Sequence, residues 1–164
     1  MRNLAIILVF SLFSCKSYKE IKDKDLVVFS SKSLGEFHAM SNLKKKTDYQ
    51  ISVQELFGLK NTDSIIKVVF SKKDAIEIQY KNVLGGNEVA AFKGKFKKHY
   101  FEVYLDKKRV FFPPIYCKTR INRLRIGLTK NQELVINQHY DYSGMFLFFA
   151  AGNSDKKQYV FKSK

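Results

Sequence analysis

The chain has 164 residues, of which 45% are hydrophobic; its aromatic residues are 15 Phe and 9 Tyr, with no Trp. That content excludes a disordered chain, and the length suits one domain with a core of its own. Thirty basic residues against 15 acidic leave a formal charge of +15, which favours anionic partners such as lipid headgroups. It does not by itself define an anion site, because 25 of the 30 are Lys scattered along the chain and Arg is the better bidentate binder of phosphate.

In chain order, Met1-Arg2-Asn3 is a short basic start, 4–13 is an apolar run of ten residues, and Ser14 is a small residue before Cys15. This is the layout of a secretory signal peptide over 1–14; the run is too short to span a bilayer, which takes about 20 residues. Leu12-Phe13-Ser14-Cys15 resembles the lipobox of bacterial lipoproteins, with Phe13 where a small or aliphatic residue is commoner. The resemblance implies cleavage before Cys15, diacylglycerol on its sulfur, and membrane attachment through lipid. Lys16-Ser17 replaces the Asp that favours inner-membrane retention in some Gram-negative bacteria, so the expected location is the outer membrane, facing the periplasm. Nucleic acid is then not an expected partner. No protein partner is indicated. With Cys15 acylated, Cys117 has no cysteine to pair with.

Residues 15–25 carry the lipidated cysteine and a charged tether, in which Lys16, Lys19, Lys22 and Lys24 alternate with Glu20, Asp23 and Asp25. Residues 26–164 form the single domain. Its one helical candidate is a turn within Tyr49–Leu59. The remainder reads as seven to nine short strands: Ile65–Phe70, Ala75–Tyr80, Val89–Phe96, Phe101–Leu105, Val110–Phe112, a strand within Ile115–Leu128, Leu134–His139, Met145–Ala151 and Gln158–Lys162. Turn signals stand at Gly85-Gly86-Asn87, Asp106-Lys107-Lys108, Thr129–Gln132, Asp141–Gly144 and Gly152–Asp155, and Pro113-Pro114 ends a strand. An all-β antiparallel meander follows, closing into a barrel, with a β-sandwich as the alternative. Gly35-Glu36-Phe37 and the strand order resemble the lipocalin-like barrels (calycins). That resemblance implies an interior able to hold an apolar or amphipathic small molecule. Arg120, Arg123 and Arg125 are alternatives for the late arginine of that family.

The inward apolar set is Phe92, Phe96, Phe101, Val103 and Leu105, with Leu124, Ile126, Leu134 and Ile136. It reads as either a filled core or a ligand lining, the first five being the candidate lining and Gly94 the source of space. Lys93, Lys95 and Lys97 form a one-sided basic row, either a solvated face or a contact for anionic lipid. Enzymatic chemistry is not indicated. Cys117 with His99 or His139 would be a nucleophile and base only if the fold joined them. His139 and Asp141 share a strand face without a third ligand, Gly85-Gly86 lacks the lysine of a phosphate loop, and no metal or cofactor is called for.

Overall fold

Alternating apolar residues give the chain eight strands, each antiparallel to its sequence neighbour. They are β1 (Gly35–His38), β2 (Ile65–Lys72), β3 (Ala75–Lys81), β4 (Asn87–Phe96), β5 (Phe101–Phe112), β6 (Tyr116–Leu128), β7 (Leu134–Phe146) and β8 (Phe149–Phe161). A computed structural model describes residues 26–27, 35–42, 50–59, 64–72, 74–82, 84–112 and 115–164. The expected signal peptide, Cys15 and the tether lie outside these residues. The sheet curls into a half-barrel, and its two ends meet. His38 N–H donates to the Lys162 carbonyl (3.0 Å) and Lys164 N–H to that of Glu36 (3.1 Å). Pairing the first strand with the last residues removes the free edge at that end. The chain is therefore the all-β meander its pattern indicates.

The helical candidate is one short helix, α1 (Val53–Phe57). Ser52 caps it, its Oγ accepting from Glu55 N–H at 3.0 Å, and Gly58 ends it with a φ of 68°, a conformation glycine adopts without penalty. Val53, Leu56 and Phe57 are buried against the sheet, with Phe57 and Phe92 ring centroids 4.7 Å apart.

Around α1 the core gathers Phe37, Ile66, Val68, Ile76, Ile78, Phe101, Val103, Leu124, Ile126, Leu134, Ile136 and Phe161. Gly94 does not leave the space its size suggests. A Cβ there would lie 2.4 Å from the Glu102 carbonyl oxygen and 2.6 Å from the Phe101 ring. The glycine is needed so that Phe101 can lie across β4.

The four C-terminal strands are 12 or 13 residues long, but only one half of each serves the core. Beyond Leu105, Leu124, Ile136 and Tyr159 they continue as a four-stranded arm. From Leu124 to Tyr116 that arm is about 25 Å long at ~3.3 Å per residue. Several turn signals were overridden here. Asp106–Lys108 lies inside β5, where a register shift between Tyr104 and Asp106 marks a bulge at the exit from the core. Asp141–Gly144 lies inside β7 and Gly152–Asp155 inside β8. The β6–β7 and β7–β8 ladders run unbroken from Leu128↔Leu134 to Tyr116↔Phe146 and from Leu134↔Phe161 to Phe146↔Phe149. Continuous ladder hydrogen bonding outweighs the local preference of these residues for turns. The reversal falls instead at Leu147-Phe148, in the middle of the expected strand Met145–Ala151.

Candidate functional site

The arm ends in two adjacent hairpin tips. Phe111 and Phe112 close β5, Ile115 and Tyr116 open β6, and Phe146, Leu147, Phe148 and Phe149 make the β7–β8 reversal. The tips are joined: Leu147 N–H donates to the Ile115 carbonyl at 2.6 Å. All eight side chains are exposed, Phe148 at 87%, Phe149 at 81% and Phe111 at 76%. Isolated exposed apolar residues are ordinary; a contiguous group of this size, rimmed by polar residues, marks an interaction surface.

The reversal itself points the same way. Two-residue hairpin turns favour Asn or Gly where φ is positive. Leu147 takes a φ of 54°, a left-handed conformation that costs a residue with a Cβ about 1–2 kcal/mol. The chain accepts local strain while presenting Leu147 and Phe148 to solvent.

Behind the tip lies a basic collar. Lys107, Lys108 and Arg109 precede the aromatic pair on β5, and Lys118 and Arg120 follow it on β6. Arg120 pairs with Asp106. Lys118 Nζ stands 5.3 Å from the Tyr142 ring centroid and Lys107 Nζ 4.7 Å from that of Tyr104. Among the described residues Lys107, Lys108, Arg109 and Lys118 have no acidic partner. A shallow cleft of about 260 Å³ lies between collar and tip, lined by Tyr116, Lys118, Tyr142, Phe146 and Phe149 among others. One cation thus stands beside an apolar wall.

The five candidate lining residues are elsewhere, in the core. Phe101 and Val103 are fully buried, and Phe92, Phe96 and Leu105 pack against the same cluster. Phe96 and Phe101 are 4.8 Å apart between centroids, and Phe70 lies 4.7 Å and 5.4 Å from them. Lys93 and Lys95 on β4 and Lys97 just past its end are exposed in alternation, the row their spacing indicates. They are not part of the collar. A methyl group on Gly127 would stand 3.0 Å from the Leu26 side chain and 3.4 Å from the His99 carbonyl, which puts the 97–100 turn beside Leu26, at the opposite end of β6.

Cys117 is partly buried and pairs in register with Phe111 and Met145. His139 pairs with Arg123, six positions away along β6, about 20 Å at ~3.3 Å per residue, so the two are not joined. Among the described residues no three His, Cys, Asp or Glu side chains are grouped to hold a metal. A larger cleft of about 470 Å³ on β1–β4 includes Glu36, Lys67, Tyr80, Glu88 and Lys164, where Lys164 already pairs with Glu36 at 3.4 Å.

Arg123 and Arg125 serve a buried ion cluster on the outer face. Glu102 Oε2 accepts from Arg125 Nε at 3.0 Å and faces Arg123 Nη1 at 3.5 Å. Arg123 Nη2 donates to His139 Nδ1 at 3.2 Å, which requires the neutral imidazole. Burial, then the charges of Arg123 and Lys156, push the His139 pKa below the ordinary 6.5, against Asp141. The unfolded chain thus takes up the proton first, so this contribution to stability is complete above pH ~6.5 and is lost as pH falls through the lowered folded value. Urea unfolding across that range should show stability declining on acidification, with a shallower decline in His139→Gln.

No protein-family model matches this chain, and neither does any curated protein or solved structure; the tip and its collar carry the functional reading.

Proposed function

We propose that this protein is a cell-envelope lipoprotein, held by acylated Cys15 at the outer membrane, that works as a lipid-surface contact module through the tip of its β5–β8 arm. The observation that carries this reading is the exposed aromatic tip with cations directly behind it. Apolar side chains at the end enter the boundary between headgroups and acyl chains, and Lys107, Lys108, Arg109 and Lys118 meet phosphates. Insertion is self-limiting. Phe112 stands three positions beyond Arg109, about 10 Å of strand, and interfacial elements penetrate about 5–10 Å. The cleft beside Lys118 suits one headgroup phosphate, with the acyl chain against Phe146 and Phe149.

The mutual packing of Phe70, Phe96 and Phe101, where the candidate lining residues lie, supports action through the surface over carriage of an internal ligand. Sedimentation of residues 16–164 with vesicles tests the proposal. Retention is expected on phosphatidylethanolamine–phosphatidylglycerol vesicles, weakening as salt rises because each Lys or Arg near an anionic surface contributes about 1 kcal/mol that salt screens. Equal retention on phosphatidylcholine at all salt concentrations, or none on either, would refute it.

A further inference from the structure

The two ends of the molecule face opposite ways. Leu26, where the described domain begins, bridges to Thr129, and Val27 N–H donates to the Leu128 carbonyl at 2.9 Å. The chain thus enters at the β6–β7 turn, while the aromatic tip lies at the other end of the same two strands. The 13 residues of β6 put about 40 Å between them.

Cys15 stands eleven positions before Leu26. However those residues are arranged, their covalent reach is at most about 36–40 Å, and a flexible chain of that length spans about 17–20 Å root-mean-square. For the tip to enter end-on the bilayer that holds Cys15, with the strands along the membrane normal, the domain must invert and the linker must run back along it almost fully stretched. With the strands along the membrane normal and about 17–20 Å between Cys15 and Leu26, Leu26 faces the anchoring bilayer and the tip points away from it. The exposed Lys97 belongs to the turn beside Leu26, so the anchor end has its own cation for the near headgroups.

We infer that the aromatic tip engages a second anionic bilayer, making the protein a bridge between two lipid surfaces separated by about 60 Å, the sum of strand and linker lengths. The inference rests on the lipid-anchored, lipid-contacting reading above and adds the direction of contact. Charge complementarity selects the occupant: cations with no acidic partner among the described residues ring the tip, which suits anionic headgroups and disfavours stacking against a second, equally basic copy of the tip.

The chain contains no Trp, so Phe148→Trp makes a single fluorescent reporter at the most exposed tip position. The full acylated chain carrying it, its acyl mass confirmed after detergent extraction, is inserted into preformed donor vesicles and mixed with acceptor vesicles of the same phosphatidylethanolamine–phosphatidylglycerol composition. Brominated lipid is placed in one population at a time. Loss of emission with brominated acceptors and not with brominated donors, with a rise in light scattering, is the expected result. Quenching by donor lipid alone overturns the bridge while leaving lipid contact intact. Quenching by neither overturns both, and a concentration-dependent blue shift in that case assigns the tip to self-association or another protein surface. Absence of an acyl mass removes the anchor and the inference with it.

Discussion

Replacing Phe148 and Phe149 together with Asp should lower partitioning onto anionic vesicles by on the order of a hundredfold and leave the domain's unfolding midpoint unchanged. Burying a Phe side chain contributes about 1.5–3 kcal/mol, and each 1.4 kcal/mol is a factor of ten. Taking the lower value for each ring, because entry into the headgroup region is partial, gives about 3 kcal/mol, to which the new carboxylates add repulsion. Neither ring belongs to the core, and substitutions at such exposed positions usually change stability by no more than about 0.5 kcal/mol. Vesicle sedimentation with a parallel thermal melt checks both halves. A fall in binding accompanied by a fall in midpoint would mean that the tip has a structural role.

Phe101→Ala should act in the opposite manner, destabilising the domain by about 3–5 kcal/mol with no direct effect on vesicle binding by the molecules that remain folded. The ring is wholly buried, in contact with Phe70 and Phe96, and lies over the site where Gly94 lacks a Cβ. Its removal opens a cavity walled by rigid strands on two sides, a setting in which collapse is poor. Such a loss is a large part of a typical domain's stability, and urea unfolding would measure it. A variant of wild-type stability that bound a small apolar molecule in the vacated volume would show instead that the interior is built to be occupied.

Strands β2, β3 and β4 were legible because they are half-buried. Ile76 and Ile78 alternate with Glu77 and Gln79 on β3, as Phe92, Gly94 and Phe96 alternate with Lys93 and Lys95 on β4, and the period of two follows directly from one wet and one dry face. The short helix was legible as the one helical turn within Tyr49–Leu59. The arm was not. Once β5–β8 leave the core most of their residues other than Ile121 meet water on both faces, so little enforces alternation, and Asp141–Gly144 and Gly152–Asp155 read as turns although unbroken ladders hold them extended.

The tip was missed for a related reason. Phe146-Leu147-Phe148-Phe149 looks like a buried strand, since in a soluble domain consecutive apolar residues are usually inside. The available signal was the lack of alternation in that run beside a second aromatic pair at Phe111-Phe112, each run ending where the chain must turn. Lys93, Lys95 and Lys97 were visible as a row, but their separation from Phe111 and Phe148 depends on which end of the sheet each occupies, and pairing register alone fixes that.

Hydrogen–deuterium exchange with and without phosphatidylglycerol-containing vesicles tests the lipid-contact claim most directly, because it reports which surface the lipid covers. Slowed exchange confined to the amides around 111–116 and 145–150, with the Lys93–Lys97 strand unchanged, is the expected result. Slowed exchange along that strand with the two tips unaffected would contradict it and move the contact to the other end of the domain.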